Sequence, residues 1–155
     1  MARYTTRVES AAALAADTVF ANLVAGAAAN FKLRRLILGV RAGVAVPTSQ
    51  QVTVDVIRAT ARGTSTGTQT GIALDPRSVA DPTTGVDTTW SGVPTLAAIP
   101  LASPTFNTQS GVDLPAELLE EWICDQGTAN GIALRNRANA LPASHLLVAT
   151  LEWEV

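Results

Sequence analysis

Few side chains in this sequence could do covalent chemistry, and none of them has the company it would need. His145 is the only histidine and Cys124 the only cysteine. A zinc site of the usual nitrogen–sulfur kind and an intrachain disulfide are therefore both out of reach. A Ser–His–Asp relay around His145 would lack the G-x-S-x-G nucleophile elbow, and a lone histidine at the mouth of a final strand reads as a surface or edge residue. Cys124 reads as a small buried hydrophobe and not as a reactive thiol. Glu117, Glu120 and Glu121 form the densest acidic cluster. Paired carboxylates can hydrolyse glycosides when they flank an aromatic-lined cleft, but Trp122 is the only aromatic nearby, so the cluster reads as a solvated face. Asp75, Asp81 and Asp87 lie too far apart, and too mixed with proline, for an EF-hand loop. There is no Walker loop and no G-x-G-x-x-G. No catalytic, cofactor-binding or metal-ligating residue is assigned, and the chain does not read as an enzyme.

The cations and the large aromatics suggest contact instead. Arg34 with Arg35, and Arg135 with Arg137, would form a basic patch if their strands were adjacent. Nucleic-acid binding is disfavoured, because interleaved aromatics are missing and the net charge is −2. Salt bridges to a neighbouring subunit suit arginine better. Trp90, Trp122 and Trp153 could stack on a sugar, but such residues more often anchor a core or a subunit contact. Arg34, Arg135, Arg137, Trp90 and Trp153 are thus the expected subunit-interface residues.

The elements that must position these residues read as strands. At 155 residues, 47% apolar and 15% charged, the chain has the size and composition of one globular domain with a real core. Residues 144–155 alternate as one closing strand, with Leu147, Ala149, Leu151 and Trp153 on a single face. A chain that stops inside a core strand leaves no C-terminal tail, so a free arm is expected at the other end. Residues 1–10, carrying Arg3, Tyr4 and Arg7 without a core pattern, read as that extended arm. No signal peptide is apparent, and the alanine-rich window 11–29 contains Asp17 and Asn22 and does not read as a membrane span. The protein is expected to be made in the cytoplasm and to stay soluble.

Further strands are expected around residues 18–25, at 31–41, at 51–61 with Val52, Val54 and Val56 facing one way and Thr53 and Asp55 the other, and at 131–140 with Ile132 and Leu134 inward and Arg135 and Arg137 outward. Residues 42–49, with Gly43 and Pro47, are expected to form a loop. Residues 63–71, rich in glycine and threonine, read as a flexible linker or a tight turn. From 72 to 104 the prolines 76, 82, 94, 100 and 104 suggest a long ordered crossover loop. Residues 114–126 read better as a short helix than as a strand, with Asp113 as N-cap and Gly127 after the end. Asn130-Gly131 is a turn signal.

In order along the chain, residues 31–41, VTVDVIRATARGTSTGTQTGIALDP from Val52 to Pro76, the run Trp90 to Pro94, NGIAL from Asn130 and the closing LEWEV resemble the head decoration, or cement, proteins of tailed bacteriophages. The resemblance implies an all-β, jelly-roll-like antiparallel sandwich over residues 11–155. It implies a non-enzymatic homo-oligomer, typically a trimer, on the outside of the capsid, with the major capsid protein as partner and neither nucleic acid nor membrane. The arm residues Arg3, Tyr4 and Arg7 would then touch the shell. A tail, baseplate or fibre protein of the same kind of virion is the nearest alternative. A carbohydrate-binding jelly-roll module using Trp90 or Trp122 comes next, and a hydrolase built on His145 and the glutamates last.

Overall fold

A computed structural model describes residues 1–43, 48–117, 120–137 and 139–155. The strands among them are β1 (Arg3–Glu9), β2 (Thr18–Val24), β3 (Phe31–Ala42), β4 (Gln51–Ala61), β5 (Thr64–Gln69), β6 (Ile72–Ala73) and β7 (Gly85–Gly92), followed by β8 (Thr95–Leu96), β9 (Thr105–Asn107), β10 (Val112–Pro115), β11 (Trp122–Cys124), β12 (Gly131–Asn136) and β13 (His145–Glu154). They make two antiparallel sheets packed as a β-sandwich, with no helix among the described residues. The first sheet runs β10-β3-β13-β1-β6, with β11 also on β3; the second runs β5-β7-β2-β12-β4-β8, with β9 also on β4. Each of the first four strands pairs with strands from the later part of the chain: β1 with β13, β2 with β12, β3 with β10 and β11, and β4 with β8 and β9.

The closing strand behaves as its alternation predicts. Leu147, Ala149, Leu151 and Trp153 are buried between the sheets, while Leu146, Val148, Thr150 and Glu152 lie half-buried on the outer face. β13 sits between β3 and β1, in the middle of its sheet, which is where a strand with so apolar an inner face gains most from burial.

β1 corrects the expected arm. Residues 3–9 pair along their whole length with β13, from Arg3 opposite Glu154 to Glu9 opposite Val148, and Tyr4 and Thr5 also meet β6. Tyr4, Thr6 and Val8 point into the core and are buried. The domain boundary expected after residue 10 therefore disappears, because residues 1–10 belong to the sandwich. Period-two alternation was present there, with Arg3, Thr5, Arg7 and Glu9 on the other face, but the inward threonine made it look polar throughout.

β3 shows how a two-sided apolar run arises. Leu33 lies opposite Trp153 and Arg35 opposite Glu152, so Arg34 is an extra residue at a bulge. One inserted residue shifts the face on which all later side chains lie. Phe31 and Leu33 before it, and Leu36 and Leu38 after it, all reach the core, while Arg34 and Arg35 both stay outside it.

Three other expectations change. The stretch 63–71 holds strand β5, and the long crossover loop expected from 72 to 104 contains β7, an eight-residue strand hydrogen-bonded between β5 and β2. The excursion from β4 thus covers the β2 and β1 edges with β7, β5 and β6 before returning to β4 as β8, which shields strand edges that would otherwise be open. The helix expected over 114–126 is replaced by β10 and β11, both paired with β3; residues 118 and 119 lie outside the described residues. Asp113 does not cap a helix but holds Arg35 across the β10–β3 pair. Local helix signals lost to two ladders on the free edge of β3.

Gly71 sits where this excursion passes the core. A Cβ there would overlap the buried Trp153 ring and the Asp81 carboxylate. The indole cannot retreat, since it stacks on Tyr4 with ring centroids 6.2 Å apart. Gly71→Ala should therefore lower stability by about 1–3 kcal/mol, read as a shift of the urea midpoint; an unshifted midpoint would contradict this packing.

Candidate functional site

Register alone places one cluster. β4 and β12 align so that Asp55 faces Arg135 on the outer side of the second sheet. Asp55 is wholly buried and accepts hydrogen bonds from Arg135 Nη2 (2.6 Å), Arg137 Nη1 (3.3 Å) and Ser103 Oγ (2.6 Å). Burial pushes its carboxyl up, but the bonds from Ser103 and Arg135 and the charge of Arg137 outweigh that and hold it below the usual range. Asp87 on β7 is equally buried and accepts a two-pronged bond from Arg62 through Nε (2.7 Å) and Nη2 (2.8 Å). Here too burial opposes the shift, and Arg62 with Thr68 carries the carboxyl downward. Both clusters are structural ties: one binds β12 to β4, the other binds the β5–β7 excursion to the end of β4.

The expected interface residues take other places. Arg34 lies on the first sheet and Arg135 with Arg137 on or beside the second, so they form no common patch. Each already has a carboxylate within its own chain: Arg34 pairs with Glu121 and lies 3.8 Å from Glu154, and Arg135 and Arg137 share Asp55. Trp153 is fully buried in the core and meets no surface. Trp90 is half-buried beside a hollow of about 400 Å³ lined with Leu14 and Phe20. Arg3 and Arg7 do face outward, pairing with Glu154 at 3.5 Å and Glu9 at 2.6 Å, whereas the Tyr4 hydroxyl donates to the Val79 carbonyl at 3.0 Å. The outer face of the first sheet is thus lined with mutually neutralised charges, including Arg41–Glu9 and Arg35–Asp113. Exposed pairs of this kind add little stability.

His145 is buried, which corrects its reading as a surface residue. The Thr48 N–H donates to its Nε2 at 3.0 Å, which leaves Nδ1 to donate to the Ala143 carbonyl at 2.9 Å. It lies opposite Ala42, while Glu152 lies opposite Arg35; seven residues of strand put the histidine about 23 Å from the glutamate end of β3. His145 and the glutamates form no common site. Of those glutamates, Glu117 and Glu120 are exposed, but the Glu121 carboxylate is shielded against Arg34. Among the described residues, no group of three or more His, Cys, Asp or Glu side chains could hold a metal ion.

Cys124 is buried on β11, and burial pushes its thiol up to about 11. The native protein should resist thiol labelling at neutral pH, with full reaction only after denaturation; rapid labelling of the folded chain would contradict its placement.

The remaining feature is concave. Between β3, β10–β11 and the segment before β9, a cleft of about 480 Å³ has Leu33, Pro104, Leu114 and Trp122 along it and Arg35, Glu117 and Glu120 beside it. On the opposite edge, Ile72, Leu74 and Val79 are exposed. Register was the missing information for Asp55, Asp87 and Arg62. An acid facing an arginine across two strands is a signal only when the pairing is known.

Compared with known proteins, the chain matches no family model, no curated protein and no solved structure. No helix among the described residues is long and apolar enough to cross a membrane.

Proposed function

We propose that the sandwich is a jelly roll and that the protein is a non-enzymatic structural component of a phage virion, a homo-oligomer decorating the outside of the head. The observation that carries this reading is the pairing order. β1–β13, β2–β12, β3–β10/β11 and β4–β8/β9 describe one long antiparallel ribbon wound around a core, and jelly rolls of this plan recur in viral shells. Exposed apolar side chains at both lateral edges, among them Ile72, Val79, Ile99 and Ile123, suit a protein that works in contact with others. The major capsid protein is the proposed partner on the shell, and a trimer is the assembly that the resemblance implies. Attachment falls to the sandwich's own faces and edges, since residues 3–9 are a core strand.

Immunogold labelling of virions from the phage that encodes the chain tests the assignment. Label on the head surface is expected. Label confined to tails would move the protein to the tail, baseplate or fibre class, and no label on any particle would end the virion reading. Jelly rolls also serve as lectins, and Trp122 beside two carboxylates in an open cleft favours that second reading. A glycan array should then show hits that vanish in Trp122→Ala.

A further inference from the structure

The two lateral edges of the sandwich differ in form: one carries a projecting turn and the other an apolar cleft. At the β6 edge the chain projects as a turn over residues 74–79, closed by the Ser78 N–H donating to the Asp75 carbonyl at 2.9 Å. The turn is anchored at both ends: the Leu74 N–H donates to Arg3 at 2.9 Å, and Tyr4 holds the Val79 carbonyl. Its side chains point away from the molecule. Leu74 and Val79 are exposed, and the Arg77 side chain is 88% exposed at the tip. Arg77 holds Asp75 through Nε and Nη2, which leaves Nη1 for a second carboxylate.

The opposite edge of the same sheet carries the Trp122 cleft, with Leu114 and Trp122 offering apolar surface. Glu117 and Glu120 stand exposed beside it, with no ion pair to any described residue, while Arg35 is occupied by Asp113 and Glu152. A projecting, preorganised turn tipped with arginine and flanked by leucine and valine matches an apolar cleft with an acidic mouth.

We propose that a second copy of this chain seats its 74–79 turn in the Trp122 cleft, with Arg77 reaching Glu117 and Glu120. The contact joins opposite edges of two molecules, so it is heterologous, and successive copies form a closed ring or an open array according to the rotation between them. This inference rests on the homo-oligomer reading above and names the surfaces that make it.

Sedimentation equilibrium of the purified chain, without heads, tests it. The wild type should associate. Arg77→Glu, and separately the double variant Glu117→Arg/Glu120→Arg, should each weaken association by at least about tenfold while keeping the wild-type circular dichroism, because all three positions are exposed. The triple variant Arg77→Glu/Glu117→Arg/Glu120→Arg should recover association, since every reversed turn then meets a reversed cleft. A wild type that stays monomeric, reversals without effect, or a triple variant that fails to recover would overturn the proposal. A chain that assembles in this way but never labels heads would sink the virion reading and leave this contact standing.

Discussion

Deleting residues 1–10 is expected to abolish folding, not to release a docking element from an intact domain. β1 supplies two fully buried side chains, Tyr4 and Val8, each worth about 1.5–3 kcal/mol of apolar burial. It also supplies a ladder to β13 over all seven of its residues and the ring that stacks on Trp153. Domains of this size hold only about 5–15 kcal/mol in total, so losing a strand next to the central β13 exceeds what the remainder can absorb. Far-UV circular dichroism and thermal melting should show no cooperative transition. Arg7→Ala, by contrast, should move stability by no more than about 0.5 kcal/mol, as surface changes usually do. A truncated chain that melts like the wild type would show that β1 is dispensable.

Arg62→Ala should cost about 3–5 kcal/mol, the penalty for leaving a buried charge without its partner. Asp87 is fully buried, and Arg62 supplies the only positive charge bonded to it among the described residues. The pH dependence carries its own sign. In the wild type, Asp55 and Asp87 both titrate below the usual aspartate range, so their contribution is present above about pH 4 and is lost as pH falls through their lowered values. In Arg62→Ala, the bonds from Thr68 and Ser65 remain but the guanidinium's bonds and charge are gone, so burial meets less opposition and the Asp87 carboxyl moves up from its wild-type position. Protonation then relieves the variant, and the stability gap to the wild type should narrow as pH falls towards about 4. Urea midpoints from pH 7 to 3 measure this; a gap that widened in acid would contradict the pairing.

The strands that were legible in the sequence were those whose inner faces are aliphatic. β3, β4 and β13 announced themselves by Leu and Val at period two, and β2 was visible through its Thr18-Val19-Phe20 start and its Leu23-Val24. β1 hides its alternation because its inner face includes Thr6. β5 and β7 show no face because their sequences, TSTGTQ and GVDTTWSG, carry too few apolar residues. They are stabilised instead by pairing and by the Arg62–Asp87 tie, neither of which leaves a local trace. At residues 114–126 the helix signals were real as local preferences, and the free edge of β3 overrode them. The two buried ion clusters depend wholly on cross-strand register, which one sequence does not reveal.

The wound pairing also governs how the chain can be made. Before the last two strands emerge, β1 can meet only the two-residue β6 and β2 only β7, and β3 has no partner earlier than β10, so little sheet can form while the first half is being synthesised. The early β-ribbon available to a nascent chain is β5 with β7, onto which β2 can add. Such non-local topologies fold slowly, because loops must close before contacts reward them. The half-made chain would meanwhile carry exposed strands that can pair with the wrong neighbour. A sandwich built this way closes only once β12 and β13 have been made, and its yield in a crowded cell should depend on chaperones and temperature more than its final stability suggests.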